Sequence, residues 1–152
     1  MITRPTAFAD VPALQRVLDE TELFPSERVP DFIRSFLREP TGNELWLTCE
    51  EADVPIGFAY AKAEELTDGT WNMLAIAVAP NRHRSGAGSA PVSTLEAILR
   101  DRSQRILIAE TSGLPEFEKA RNFYRRNGYS EEARIRDFWG RGDDKIVFWK
   151  EI

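Results

Sequence analysis

The sequence predicts a mixed α+β fold, with a central, mostly antiparallel sheet of about seven strands flanked by four helices. Three observations carry this. Apolar residues recur with period two in some stretches and with a period near 3.6 in others. The order that results is strand, two helices, three strands, helix, strand, helix, two strands, which mixes hairpins with βα crossovers. The chain has 152 residues, with 42% hydrophobic and 30% charged content. That suits one globular domain over residues 1–152, large enough to bury a core.

Each element has its own signal. Ile2-Thr3 starts a short strand. Asp10 is placed to cap a helix whose Val11, Leu14, Val17 and Leu18 form one apolar stripe. Ser26 opens a second helix, with Val29, Phe32, Ile33, Phe36 and Leu37 on one face. Glu44 to Cys49 and Pro55 to Lys62 read as strands around a polar turn, and Asp68-Gly69 leads into a strand over Trp71 to Val78. Val92, Leu95, Ile98 and Leu99 mark the third helix, and Arg105 to Thr111 is a continuous apolar strand. Pro115 to Asn127 is helical with Phe117, Ala120, Phe123 and Tyr124 on one stripe and Gly128 as its stop. Tyr129 to Trp139 and Lys145 to Trp149 close the chain as two strands around a loop at 140–144, where Asp143-Asp144 reads as a turn rather than a metal site.

Composition narrows the function. A net charge of −5 argues against sequence-independent nucleic-acid binding, which needs a basic face. No apolar run approaches a membrane span and MITRPTAFAD has no signal-peptide core, so a cytoplasmic location is expected. The single cysteine, Cys49, excludes an intrachain disulfide and lies in an apolar strand pattern.

The richest stretch is MLAIAVAPNRHRSGAGSA, residues 73–90. An apolar strand runs into a short basic loop with two glycines and then into a helix. Loop amides and the helix dipole converge there on one point, which suits a phosphorylated cofactor. Gly86 and Gly88 allow close approach to the backbone, and Arg82 and Arg84 add positive charge. A nucleotide or NAD site fits less well, because Gly86-Ala87-Gly88-Ser89-Ala90-Pro91 lacks the last glycine of GxGxxG and no GxxxxGK[ST] occurs.

Val78-Ala79-Pro80 followed by His83-Arg84-Ser85-Gly86-Ala87-Gly88 resembles the cofactor loop of the GNAT superfamily of N-acetyltransferases, Val-x-Pro and then Gln/Arg-x-x-Gly-x-Gly/Ala. Ala120 to Tyr129, ARNFYRRNGY, resembles the family's second signature, Ala-x-x-Phe/Leu-Tyr-x-x-x-Gly-Phe/Tyr. The resemblance implies a GNAT-like fold whose fourth and fifth strands splay apart to admit the cofactor's pantetheine arm. It implies acetyl transfer from acetyl-CoA to an amine of a small molecule or peptide, without an acyl-enzyme. The pyrophosphate would lie on backbone amides of His83, Arg84, Ser85, Gly86, Ala87, Gly88 and Ser89. The arm would pair with Ala77 and Val78, and an N–H near Val78 would polarise the thioester. Tyr124 would touch the cofactor and protonate the departing thiolate.

Some members use a carboxylate on the fourth strand to accept the amine's proton. Trp71 to Ile76 offers none, so Glu110 is the candidate catalytic base, with Glu64 and Glu65 behind it as solvated acids. The acceptor is expected among Glu22, Phe24, Trp71, Asp137, Phe138 and Trp139, where acids draw an ammonium and aromatics pack its apolar part. Core packing is the alternative for each of those aromatics. Three departures stand out: His83 replaces Gln/Arg, Pro91 falls early in the helix, and the Asn common before the last helix is missing, which leaves Thr111 or Ser112 to supply a hydroxyl. A homodimer is expected by analogy, through an exposed edge holding Phe148 and Trp149. The competing function is a non-catalytic acyl-CoA-binding or sensor module of the same fold.

Overall fold

The structure, a computed structural model, describes residues 1–83 and 85–152. β1 (Ile2–Pro5), β2 (Glu44–Glu51), β3 (Val54–Ala63), β4 (Thr70–Val78), β5 (Ile106–Ser112), β6 (Ser130–Gly140) and β7 (Asp143–Glu151) form one sheet. Their spatial order is β1-β2-β3-β4-β5-β7-β6. All neighbours are antiparallel except β4 and β5, which run parallel. The architecture is the mixed α+β arrangement that the element order predicts.

The parallel pair is short. Thr70–Met73 lies against Ile106–Ala109, and beyond that point neither strand pairs with the other. A bulge accounts for the parting. Tyr60 opposes Ala75 while the next pair is Ala61 with Met73, so Leu74 is left over in β4. An extra residue bends its strand and raises the local twist, which turns β4 away from β5.

The β2–β3 turn is made by Ala52 and Asp53, both at positive φ (49° and 62°). This is the backbone a two-residue hairpin needs to match strand twist. At the other end of the sheet, β6 carries more residues between Ile135 and Gly140 than β7 does between Lys145 and Asp143. The surplus forms a broad bulge holding Phe138 and Trp139. β7 lies between β5 and β6 with Phe148 fully buried, so the expected edge at Phe148 and Trp149 is corrected: the edge strand is β6, exposed along its whole length.

α1 (Val11–Thr21) buries the predicted stripe of Val11, Leu14, Val17 and Leu18. Asp10 precedes it but makes no side-chain bond to its first turn. Its carboxylate accepts the Ala7 N–H at 2.8 Å and pairs with Arg4, which also binds Glu50. The Arg4 guanidinium, against the opposing effect of burial, holds Asp10 well below the usual carboxylate range. The predicted second helix is divided into α2 (Val29–Phe32) and α3 (Arg34–Arg38), broken at Ile33, whose ψ of −13° departs from helical geometry. These helices lie on the face of Trp46, Phe58 and Tyr60, where Phe24 meets Phe58 edge-on.

α4 (Ser89–Asp101) and α5 (Glu118–Arg126) cover the opposite face. Tyr129 O–H donates to Glu96 of α4 at 2.8 Å, and Lys150 of β7 donates to the same carboxylate at 2.8 Å. That buried network fixes α4 to the sheet beside α5. Gly128, at φ +86°, ends α5 as predicted and lets the Tyr129 N–H reach Tyr124 O at 3.0 Å. Phe117, expected on the buried stripe, is exposed because the segment Pro115–Phe117 forms a separate 3-10 turn before α5 begins.

Candidate active site

β4 ends at Val78, and α4 begins at Ser89, with turn residues at 80–83 and 85–88 between them. Gly86 has φ +86°, and a side chain there would meet no atom within 4 Å, so its backbone is open to a ligand. Gly88 serves another purpose. A Cβ on it would lie 3.0 Å from the Phe123 ring, so the missing side chain lets the start of α4 approach α5. Among the described residues no side chain caps the first turn of α4; the Ala90 N–H is taken by Gly86 O at 3.0 Å and Pro91 has none, so what the helix start offers a ligand is its positive dipole end.

Pro91 is the third residue of α4, within the first turn, where a proline's missing N–H is tolerated. A helix beginning near Gly86 would have put it deeper. His83 Nε2 lies 3.0 Å from the Val78 carbonyl oxygen, tying the loop to the end of β4. Arg82 pairs with Glu51 at 2.6 Å and its carbonyl accepts the Ser85 hydroxyl, also at 2.6 Å. Arg84 lies outside the described residues. These features fit a pyrophosphate at 83–89, with Ala87 buried beneath the turn.

The strand edge follows from register. Ala79 N–H donates to Ile56 O at 2.8 Å, so backbone groups at every second residue from Ala79 face β3. Ala77 belongs to that set. A Cβ on Gly57 of β3 would come within 2.7 Å of the Ala77 oxygen. Ile76 and Val78 therefore turn their backbone groups the other way, into the gap that β5 has left. Of the expected pair Ala77 and Val78, only Val78 turns its backbone groups to the gap; those of Ala77 are committed to β3, and Ile76 shares the gap-facing edge.

Tyr124 stands beside the point of parting. Its ring packs 5.2 Å from Phe148, which is opposite Ala109, the last β5 residue paired with β4. Phe123 and Tyr129 meet the same ring edge-on. Burial pushes the phenol up to about 12. Among the described residues its hydroxyl has no hydrogen-bond partner, whereas the neighbouring Tyr129 hydroxyl is bound to Glu96.

On the face of α1 to α3 the structure gathers charged groups at the same gap. Asn72 Nδ2 donates to Glu64 Oε1 at 2.9 Å and to Glu110 Oε1 at 3.1 Å. Glu110 Oε2 pairs with Lys145 Nζ at 2.9 Å. The Lys145 ammonium lies 4.1 Å from the centre of the Phe138 ring and 5.9 Å from that of Trp139. The β6 bulge carries both rings over the end of β5, where the Trp139 indole N–H donates to Thr111 O at 3.2 Å. Beside this cluster an open depression of about 350 Å³ is lined by Lys62, Ala63, Glu64, Glu65, Asn72 and Leu74, with a larger hollow next to it; Asn72 and Glu64 join it to Glu110.

Several expected acceptor residues lie elsewhere. Trp71 alternates with Asn72 and so points to the opposite face. It is buried, with its indole N–H bonded to Gln104, and is a core residue. Asp137 serves the last hairpin: its carboxylate accepts the Gly142 N–H at 2.8 Å. Glu22 ends α1 in the left-handed conformation and is exposed, while Phe24 is packed between Phe32 and Phe58. Ser112 bonds Asp143 and accepts the Leu114 N–H, closing the β5–α5 turn. Sequence reasoning missed Asn72 and Lys145, whose roles depend on strands far apart in the chain.

With this geometry in place, comparison gives the class. Residues 11–129 match the acetyltransferase (GNAT) family, and the chain belongs to that family. The family moves acetyl groups with acetyl-CoA as donor. A GNAT-family protein from Desulfovibrio desulfuricans is 30% identical, with a TM-score of 0.91 and coverage of 99% of this chain and 98% of the other. A ribosomal-protein-alanine N-acetyltransferase from Brucella melitensis is 18% identical, TM-score 0.82, covered in full on both sides. An aminoglycoside 6′-N-acetyltransferase complexed with coenzyme A is 16% identical, TM-score 0.80, with 99% and 97% covered. No curated protein matches the chain.

Proposed function

We propose that this protein transfers an acetyl group from acetyl-CoA directly to a primary amine of a small molecule or peptide. The observation that carries the reading is the β4–β5 gap itself. Tyr124 flanks it on one face of the sheet, and Glu64, Asn72 and Glu110 flank it on the other. Donor and acceptor would enter from opposite faces and meet in the gap. Two proteins sharing the fold carry names that place acetyl on nitrogen.

In this reading the turn at 83–89 and the uncapped start of α4 hold the pyrophosphate, and Ile76 and Val78 hold the pantetheine arm. Acetyl-CoA supplies an acyl group already activated as a thioester, so the protein's part is mainly positioning. Backbone N–H groups of bulged β4, around Leu74 and on to Val78, are placed to polarise a carbonyl lying along the gap. Tyr124, kept neutral by burial, donates its proton to the departing sulfur. Glu110, the expected base, is paired with Lys145, so Glu64 beside it accepts the amine's proton. Phe138 and Trp139 bound the acceptor's apolar part.

The protein acts as one domain over residues 1–152, a reading supported by the single sheet that runs from β1 to β7. A cytoplasmic location is supported by the buried free thiol of Cys49. No helix among the described residues is long and apolar enough to cross a membrane. Self-association, if it follows the edge strand, uses β6; sedimentation velocity checks it. The main test is calorimetric titration with acetyl-CoA, NAD and ATP, followed by thiol release on a panel of amines. Micromolar acetyl-CoA binding with thiol release that Tyr124→Phe abolishes supports the enzyme. Binding without turnover on any amine favours the sensor module instead.

A further inference from the structure

The acceptor side contains an ammonium of its own. Lys145 is largely buried, bonded to Glu110 and placed over Phe138 and Trp139. A carboxylate with two aromatic faces is the surrounding that a bound alkylammonium would seek. Here it is filled by the protein. Glu64 differs. It accepts one bond from Asn72, and among the described residues no cation pairs with it. Lys62, on the same cavity wall, faces Glu44 at 3.9 Å, and Glu65 is exposed at the rim.

Asn72 supplies a second, independent sign of a missing partner. Its side chain lines the cavity, the residue is only 5% exposed, and its Oδ1 is buried without a hydrogen bond. A buried unpaired acceptor is costly unless something donates to it. An ammonium between Glu64 and Asn72 Oδ1 would satisfy both.

We propose that Lys145 is a specificity-determining residue of the acceptor site: it neutralises Glu110 and occupies the aromatic box, leaving Glu64 and Asn72 to bind a single ammonium. The site is thereby matched to singly charged amines and set against diamines. Glu64 and Glu110 hang from one amide nitrogen, so their carboxylates lie within two hydrogen-bond lengths of each other. Without Lys145 the same space would hold both ends of a short diamine. The inference rests on the acceptor-site reading above.

The test is calorimetric binding of butylamine and butane-1,4-diamine to the protein saturated with coenzyme A, which requires no turnover. The wild type is expected to bind the two within about twofold of each other. Lys145→Met should shift the ratio about tenfold toward the diamine, the size of one partly buried charge contact. Lys145→Arg should keep the wild-type ratio, and Lys145→Met with Glu110→Gln should restore it. If Lys145→Met does not fold, Glu110→Gln alone decides: an uncompensated Lys145 should weaken both amines about tenfold. An unchanged ratio in folded Lys145→Met, unchanged affinities in Glu110→Gln, or no binding of either amine to the wild type overturns the inference. Thiol release separates the two readings. Turnover with an unmoved ratio sinks only this inference, and the predicted ratios without turnover sink only the transferase.

Discussion

The two sides of the β4–β5 gap are built from different materials. The donor side uses backbone: the open Gly86, the uncapped start of α4, and the inward edge of Ile76 and Val78. The acceptor side uses side chains drawn from four strands and a loop: Glu64, Asn72, Glu110, Phe138, Trp139 and Lys145. Backbone recognition tolerates substitution of the side chains around it, so on the proposed reading His83 can stand where the family has Gln or Arg. Side-chain recognition has no such slack, and it is where one member of a fold can differ from another.

Four substitutions sharpen that contrast. Tyr124→Phe strikes the donor face, where the side chain flanks the gap, and should cost most: thiol release falls about 10²–10⁴-fold, the usual range for a lost proton donor, while calorimetry finds acetyl-CoA affinity unchanged. The phenol's value of about 12 keeps it protonated at working pH, so no falling limb of the rate profile should come from this group until pH approaches about 12. Burial favours the neutral form. The stability this group adds is therefore whole below about 10, the free phenol's value, and is lost as pH rises through about 12. Urea denaturation across that range checks the sign.

Gly57→Ala attacks the backbone side. Its new methyl meets the Ala77 oxygen at 2.7 Å, and backbone must move to relieve it. We expect a loss of about 1–3 kcal/mol in chemical denaturation together with weaker acetyl-CoA binding. If affinity holds while stability falls, the β4 edge does not grip the arm. Trp139→Ala attacks the other side. It should raise acceptor KM by about tenfold, because it removes one of the two faces that hold Lys145 at the acceptor site, and leave acetyl-CoA affinity alone. His83→Ala should do least, about a twofold to fivefold weakening of acetyl-CoA binding, because one exposed hydrogen bond to Val78 O is worth about 0.5–1 kcal/mol. A large effect there would mean that the loop depends on side chains after all.

The same contrast explains what the sequence made legible. The strand, glycine turn and helix start are contiguous, so loop, fold and family could all be read from residues 73–90 and 120–129. The break at Ile33 was hidden because both halves of the helix keep one apolar stripe. Trp71 was assigned to the acceptor because its proximity in sequence to the gap is real, but strand alternation sends it to the far face. Lys145 and Asn72 carried no local signal at all. Their meeting depends on a parallel pairing of β4 with β5 and an antiparallel one of β5 with β7, neither of which periodicity reports. The β6 bulge that brings Phe138 and Trp139 over Lys145 is likewise a mismatch between two strands rather than a property of either.

The brevity of the parallel pairing has a consequence for assembly. Thr70–Met73 against Ile106–Ala109 is a narrow seam between two antiparallel ribbons, β1 to β4 and β5 to β7. The first ribbon consists mostly of hairpin contacts between chain neighbours, whereas the seam closes only after the whole of α4 has crossed over. Local contacts form early and distant ones late. The gap where donor and acceptor would meet is thus defined only after the β2–β3, β3–β4 and β6–β7 hairpins, and a slip at the seam would yield a chain with both ribbons intact and no reaction chamber between them.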